Sequence, residues 1–427
     1  MATIAVLGVG YVGLTTSACF SRLGHQVIAA DIDQVKIDAI NRGKCPIVED
    51  GLADLLNEGI AKGKLAFITD NLRAISDAEF VFICLPTPQG KDGVADTTVV
   101  ESVAEEISKF IKTNAVIVTK STVPVGSTSV IEQKLQRSDV FVVSNPEFLR
   151  EGNAVFDFMN PDRIVIGSQS ESAAKRVADL YVGIDSKIVV TDPASAETIK
   201  YAANAFLATK ISYINAIAAV CEGVGADVLA VIDGIGSDKR IGSSFLQPGP
   251  GWGGSCFPKD SKALVKIAEN AGYDFALLRG VIEVNEQQYL RIVEKIMTTQ
   301  KDHLGEFRVT VLGLTFKAGT DDRRDSPALF VARLLQKRGA VVNAYDPTVK
   351  ADNDSSDLTG IQLFDSAYDA LTGSDVLAVL TEWEEIRGIE PVQVSNLMRS
   401  KVVVDARNVL NKETWQSNGF NYLGVGR

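Results

Sequence analysis

Ala2-Thr3-Ile4-Ala5-Val6-Leu7-Gly8-Val9-Gly10-Tyr11-Val12-Gly13 is the stretch that decides the fold. Residues 2–9 form a short apolar run of the kind that makes a strand buried on both faces. The glycine pattern follows at once, then a helical pattern to about residue 23. A second strand, residues 26–30, ends at Asp31. Glycines so placed permit a tight turn, close approach of a pyrophosphate and close helix–strand packing. The helix N-terminus then faces the phosphates, and the acid after the second strand accepts from ribose hydroxyls. We therefore expect a dinucleotide site at Gly8, Gly10, Gly13 and Asp31. Asp31 would repel a 2′-phosphate, so the coenzyme expected is NAD rather than NADP. Lys36 lies over the adenosine or is simply solvated.

Outward from this unit the α/β rhythm continues. Strand patterns recur at residues 80–85, 115–120 and 140–144, with helices at 98–111 and 127–136. Ligands in such sheets bind beyond the carboxyl ends of the strands, which is where Thr87, Thr122 and Glu147 fall. Ordinary turn chemistry explains the same residue types. Glu147 and Glu151, four apart, would share a face if their segment is helical. Residues 194–224 hold no Pro, and no Gly before Gly223. A helix of that length spans about 45 Å, so we expect a central spine between two domains, packed on all sides and serving a dimer interface. Lys200 and Asn204 share one face of it. Either they donate to a substrate oxygen, or they form a polar stripe towards solvent.

Beyond residue 300, strands are expected at 307–314, 341–346, 375–380 and 401–405, and a helix at 326–338. This half is Rossmann-like without a glycine fingerprint. Lys317 and Arg324 follow its first strand, although the charge run at 321–325 reads by default as a solvated loop. The expected class is thus α/β: two Rossmann-like doubly wound domains joined by a long central helix and a helical middle domain. The expected boundaries are 1–193, 194–300 and 301–427.

Composition narrows the function. The net charge of −11 comes with no clustered basic face, which argues against a nucleic-acid binder. No unbroken apolar run is long enough for a membrane span. Met1 leads straight into a strand pattern without a basic-then-apolar leader. The five cysteines are odd in number and show neither paired nor zinc-ligand spacing, as in a reducing, cytoplasmic compartment. With only two histidines, His25 and His303, acid–base work falls to Cys, Lys, Asp or Glu, and a Ser-His-Asp hydrolase is disfavoured.

The second informative stretch is Gly249-Pro250-Gly251-Trp252-Gly253-Gly254-Ser255-Cys256-Phe257-Pro258-Lys259-Asp260. It sets one cysteine just ahead of a helix expected over 259–271, where positive potential favours a thiolate. Cys256 is a covalent nucleophile, or the glycines make a turn around a buried thiol. Lys259 and Asp260 can reach the thiol's surroundings if the helix starts near Phe257. Upstream, Lys239 and Arg240 meet a phosphate or only water.

Taken together, GVGYVG at 8–13, KSTVPVGST at 120–128, SNPEFLREG at 144–152, the Lys200–Asn204 pair, FLQPGPGWGGSCFPKD at 245–260 and GLTFKAGTDDRRDSP at 313–327 resemble the UDP-glucose/GDP-mannose dehydrogenase family. The resemblance covers nearly the whole chain and is closest to the UDP-glucose 6-dehydrogenase branch. It implies oxidation of a sugar C6 alcohol to a carboxylate with two NAD⁺ per sugar. Cys256 would hold the C6 aldehyde as a thiohemiacetal and then a thioester. Lys200 and Asn204 would stabilise oxyanions, Asp260 would move protons with Lys200 and a water, and Glu147 would help hydrolyse the thioester. Thr122 would position water near the nicotinamide. By the same resemblance NAD meets Val12, Asp31, Lys36, Thr87, Thr122, Glu151, Lys259 and Arg324. The nucleotide sugar meets Glu147, Phe148, Leu149, Arg150, Glu151, Lys200, Asn204, Phe245, Leu246, Gln247, Pro248, Gly249, Gly253 and Lys317, with Arg240 arriving from a second subunit of a homodimer. Gln247 stands where some relatives carry Lys, and Trp252 where Tyr or Phe is usual. Both lie in the substrate loop, so TDP-glucose and GDP-mannose enzymes are the alternatives, with Trp252 a residue that helps choose the substrate. A one-step hydroxyacid dehydrogenase or a non-catalytic NAD-binding regulator would leave Cys256 without a role.

Overall fold

Ile4, Ala5, Val6 and Leu7 are buried on both faces of a sheet, as expected of a parallel strand covered by helices on each side. The computed structural model describes residues 1–90, 93–300 and 306–427; His303 lies outside them. It divides into two compact units, Met1–Ala203 with Lys262–Tyr273, and Asn204–Ser261 with Asp274–Arg427.

The first unit carries β1 (Thr3–Leu7), β2 (Gln26–Ala30), β3 (Leu65–Ile68), β4 (Phe80–Ile83), β5 (Val116–Thr119), β6 (Phe141–Ser144), β7 (Arg163–Gly167) and β8 (Lys187–Thr191). Their order is β3-β2-β1-β4-β5-β6-β7-β8. All pairs are parallel except β6 with β7. Alternation along each strand feeds two cores. Ile4, Val6, Val27 and Phe82 pack on one face, while Ala5, Leu7, Val81 and Ile83 pack on the other. The strand order turns back between β1 and β4, so the crevice at their carboxyl ends is where such a sheet binds ligands.

The second unit repeats the plan with β9 (Arg308–Leu312), β10 (Val341–Tyr345), β11 (Gln362–Leu363), β12 (Val376–Val379), β13 (Val402–Asp405) and β14 (Asn421–Gly424). The order is β11-β10-β9-β12-β13-β14, all parallel. The expected α/β class with two Rossmann-like sheets is what the chain adopts. The expectations omitted β3, β7, β8, β11 and β14. Four of these are the sheet edges and β7 lies next to one; at an edge one flank is open and the apolar signal thins, and β8 has no buried residue.

The central helix is Pro193–Val224. In the single chain one side of it is open: Phe206, Tyr213, Val220 and Val224 are exposed and form one apolar stripe at roughly helical spacing. The helix is also long and apolar enough, by length and composition, to cross a membrane, although polar residues interrupt its apolar runs. It nonetheless buries two charges, Glu197 and Lys200. The Glu197 carboxylate accepts from the Gly126 and Thr128 amides and the Thr128 hydroxyl at 2.6–2.9 Å. That caps the helix Ser127–Leu135, whose own N-cap Gly126 supplies no side chain.

Candidate active site

In the first unit each fingerprint glycine has a separate reason. A Cβ on Gly13 would stand 1.9 Å from the Gly8 carbonyl oxygen, and one on Gly8, at φ +92°, would stand 2.7 Å from that of Cys84. A Cβ on Gly10 would meet nothing within 4 Å. The turn is therefore closed on the protein side and open at Gly10. There the helix Tyr11–Arg22 begins without a side-chain cap, leaving its first amides to a ligand. These features fit the pyrophosphate of a dinucleotide. Val12 is half-buried against the core beneath.

Asp31 ends β2 as expected, with more partners than foreseen. Its Oδ2 accepts from the Val9 amide at 2.8 Å and from Lys36 at 3.1 Å, and its Oδ1 from the Asp33 amide. Lys36 is thus not simply solvated; it pairs with Asp31. Burial alone would push the Asp31 carboxyl up, but the two amides and Lys36 outweigh it and hold it below the usual range. An ionised carboxylate has about four acceptor positions, so one remains for a ribose hydroxyl. At the carboxyl ends of β4 and β5, the Thr87 hydroxyl donates to the Thr122 carbonyl at 2.8 Å, which joins the two expected coenzyme loops.

Beyond β6, residues 145–150 are irregular, so Glu147 and Glu151 do not share a helical face. Glu147 instead accepts from the Leu149 amide at 2.6 Å and from Lys200 at 2.8 Å, with both side chains less than a tenth exposed. Burial raises the Glu147 carboxyl, but the Lys200 charge, the two hydrogen bonds and Lys120 together bring it below its ordinary value. Lys200 is therefore no solvent-facing stripe. The Phe148 ring lies under the Arg163 guanidinium at 3.6 Å. Arg150 folds back on Asp157, both by its guanidinium and by its amide. Leu149 packs on the core, and Glu151 is half-buried in the turn that follows.

Lys120, the first residue of the KSTVPVGST stretch, was not anticipated as a site residue. It is 4 % exposed and reaches the Asn145 carbonyl, the Asn145 side chain and the Tyr181 hydroxyl at 3.3–3.4 Å. Burial lowers its pKa to about 8. A lysine at a strand's carboxyl end was the only available signal.

In the second unit, the helix Phe257–Asn270 begins two residues before the expected start. Cys256 takes the position ahead of it: the Asp260 amide donates to the Cys256 carbonyl at 2.8 Å. Cys256 is half-buried, with the Ser255 hydroxyl 3.5 Å from its sulfur. Asp260 is fully buried. Its Oδ2 accepts from the Asn204 amide at 2.7 Å, and Lys259 lies 3.5 Å from its Oδ1. Asn204, Asp260 and the helix start under Cys256 thus form one linked group.

The glycines ahead of Cys256 lie against neighbouring backbone and rings. A Cβ on Gly253 would stand 1.9 Å from the Asp325 carbonyl oxygen, one on Gly254 2.9 Å from the Phe316 ring, and one on Gly251 2.6 Å from the Tyr289 ring. They are needed for close packing within the unit. Trp252 likewise is 5 % exposed. Its indole donates to Ser212 at 2.8 Å, and its amide to Asn285. Its bulk fills the interior of the unit. Gly249 donates to Asn215 and accepts from Gln288. Leu246 and Pro248 are buried, Gln247 is exposed, and Phe245 is half-buried. Phe245 sits at φ +64°, a region that costs a bulky residue about 1–3 kcal/mol and concentrates at functional loops.

Around β9, Lys317 is half-buried, its ammonium 5.6 Å from the Phe316 ring centre. Arg324 is exposed and bidentate with Asp322. Arg240 is exposed and bidentate with Asp238. Asp346 follows β10 as Asp31 follows β2, and was not anticipated. Its Oδ2 accepts from the Leu314 and Thr315 amides and the Trp383 indole, and its Oδ1 from Thr348. That carboxylate is consumed in holding its own loops, consistent with the lack of a second glycine fingerprint. Arg407 joins those loops, donating to the Phe316 and Leu380 carbonyls.

Three models of the UDP-glucose/GDP-mannose dehydrogenase family match the chain: the NAD binding domain at residues 2–185, the central domain at 194–287 and the UDP binding domain at 310–412. The chain is 44 % identical to the UDP-glucose 6-dehydrogenase TuaD of Bacillus subtilis, over all of this chain and 94 % of that protein. It is 42 % identical to a UDP-glucose 6-dehydrogenase of Rhizobium meliloti, over 99 % of each. Among solved structures, a UDP-glucose dehydrogenase from Pyrobaculum islandicum superposes with a TM-score of 0.92 at 35 % identity, covering 100 % of this chain and 98 % of that one.

Proposed function

The chain belongs to the UDP-glucose/GDP-mannose dehydrogenase family, and on that premise we propose that it oxidises the C6 alcohol of UDP-glucose to the carboxylate of UDP-glucuronate. The full-length likeness to UDP-glucose 6-dehydrogenases supports the choice of sugar nucleotide. The observation that carries the chemistry is Cys256 at a helix start, one turn ahead of a buried Asp260 that Asn204 holds.

Bound NAD⁺ supplies the hydride acceptor, twice per sugar. Gly8, Gly10 and Gly13 hold its pyrophosphate side and Asp31 its ribose, with Lys36, Val12, Thr87, Thr122, Glu151, Lys259 and Arg324 as further coenzyme contacts. The C6 alcohol first loses a hydride and a proton and becomes an aldehyde. The Cys256 thiol adds to it: a C–S bond forms and the aldehyde oxygen gains a proton. This keeps the aldehyde on the enzyme between the two oxidations. Loss of a second hydride and proton leaves a thioester. Water then cleaves the C–S bond, giving the carboxylate and the free thiol. Asn204 and Lys200 donate to the oxygen as it gains charge. Asp260 takes the protons, and Glu147 orients water for the hydrolysis. The divisions 1–193, 194–300 and 301–427 then serve coenzyme, catalytic cysteine and nucleotide sugar. Lys317, Arg150 and residues 245–249 are the remaining sugar-nucleotide contacts.

The exposed stripe Phe206, Tyr213, Val220 and Val224 supports a homodimer through the central helix, in which exposed Arg240 reaches the sugar bound by the second copy. Free thiols at all five cysteines support a cytoplasmic setting, and the buried Glu197 and Lys200 support a core helix rather than a membrane span.

The test is stoichiometry. Two NADH should form per UDP-glucose, and little with TDP-glucose or GDP-mannose run beside it. Cys256→Ser should lose net turnover and keep NAD⁺ binding. A yield of one NADH per sugar, or normal turnover by Cys256→Ser, refutes the thioester route.

A further inference from the structure

Glu49 stands outside everything assigned so far, in the irregular segment before the helix Leu52–Ala61. Its carboxylate is only 9 % exposed, and a buried carboxylate needs donors around it. Three are supplied, and none is a cation. The Tyr11 hydroxyl donates to Oε2, the Gly152 amide donates to Oε2 at 2.8 Å, and the Val155 amide donates to Oε1 at 3.3 Å. The Gly152 amide also lies 2.7 Å from the Tyr11 oxygen, and the Tyr11 hydroxyl lies 3.3 Å from the Arg150 carbonyl.

These contacts join two segments far apart in sequence. Tyr11 is the first residue of the helix that opens the glycine turn. Gly152 and Val155 belong to the segment that begins at Glu147. Gly152 takes φ +81°, and the Asn153 amide closes a turn onto the Arg150 carbonyl at 2.9 Å. The short helix Ala154–Met159 follows, and its N-cap Asn153 makes no side-chain cap. Glu49 supplies that cap from elsewhere in the chain, through Val155. With Glu147 fixed on Leu149 and Arg150 fixed on Asp157, residues 147–157 are pinned at three points. The Glu49 point also holds the coenzyme turn, through the Tyr11 hydroxyl.

We propose that Glu49 is a positioning residue which, through Tyr11, ties the glycine turn to the 147–155 segment. Ordering of the turn by coenzyme then orders the segment that carries Glu147, and loosening either loosens both. The sugar side of this statement rests on the function proposed above.

The test uses Glu49→Gln, Tyr11→Phe and the double variant in the full chain. Gln can accept at one atom only, so one of the carboxylate's amide or hydroxyl contacts is lost. Without ligand, amide exchange across residues 149–157 should quicken about tenfold in Glu49→Gln while β1 and β4 stay unchanged. NAD⁺ affinity by calorimetry should fall roughly three- to tenfold, the loss of about one hydrogen bond. KM for both NAD⁺ and UDP-glucose should rise by a similar factor, with kcat within about threefold. Tyr11→Phe, the milder change, should move the same readouts in the same direction. The double variant should be no worse than Glu49→Gln, because both act on one network. Unchanged exchange at 149–157, a rise confined to one of the two KM values, or multiplicative effects in the double variant overturn the proposal. Should wild-type protein fail to oxidise UDP-glucose, the function falls, and the exchange and calorimetry arms still decide the role of Glu49.

Discussion

Replacing Lys200 with Met should destabilise the first unit strongly, and by an amount that depends on pH. In the wild type the Lys200 ammonium and the Glu147 carboxylate sit 2.8 Å apart with 4 % and 7 % of their side chains exposed. Removing one partner of such a pair leaves an uncompensated buried charge, typically at a cost of about 3–5 kcal/mol. Glu147 keeps the Leu149 amide and the field of Lys120, which places the expected loss near the lower end, about 3 kcal/mol. The pH dependence follows from Glu147. Its folded pKa is depressed in the wild type, so its contribution is present above the ordinary glutamate value and is lost as pH falls through the folded value. Without Lys200, burial dominates and raises the pKa. The variant then gains on the wild type as pH falls from 7 towards 5, because protonation removes the buried charge. Glu147→Gln added to Lys200→Met should recover more than half of the loss at pH 7. All three tryptophans, Trp252, Trp383 and Trp415, belong to the second unit. The assay is therefore urea unfolding followed by far-ultraviolet circular dichroism, not by tryptophan fluorescence. A Lys200→Met protein as stable as wild type, or a deficit unchanged between pH 7 and pH 5, would falsify the buried pair.

Two further outcomes are expected. Lys120, with a folded pKa lowered to about 8 from 10.5, is charged in both states below pH 8. Between about pH 8 and 10.5 the unfolded chain binds the extra proton, so wild-type stability relative to Lys120→Met should rise there by about 3 kcal/mol; a flat difference in urea titrations would show the lysine is not held in that state. Gly253→Ala must push the 253–254 backbone or Asp325 aside, since its Cβ would begin 1.9 Å from a carbonyl oxygen. We expect a loss of about 1–3 kcal/mol and a fall in kcat/KM of about a hundredfold from the displaced cysteine stretch, and wild-type kinetics would mean the stretch is slack.

Local pattern alone identified the elements buried on both faces or bounded by glycine. The runs at β1, β4, β5, β9 and β12 are mostly buried apolar residues, and the glycine turn with Asp31 is legible because Gly8 and Gly13 answer a local steric demand and Gly10 leaves the turn open. Cys256 ahead of a helix, and Lys200 and Asn204 one turn apart, were legible for the same reason: spacing within a helix is fixed by its pitch. Other features had no local signature. β8 and β14 pair at sheet edges and carry exposed residues. The burial of Trp252 and the glycines beside it was not legible, because nothing in the stretch shows that Ser212, Asn285 and Asp325 close around them.

The sequence by itself determined the α/β class, the inner strands, the glycine turn and the place of Cys256 just ahead of a helix, since these follow from backbone sterics and side-chain chemistry within a few residues. Only the tertiary structure decided which charges are buried and with whom: Lys200 with Glu147, Asn204 with Asp260, Lys36 with Asp31, and Glu49 with Tyr11 and Gly152. Burial and pairing depend on which distant segments supply donors and exclude water, and no local spacing encodes that.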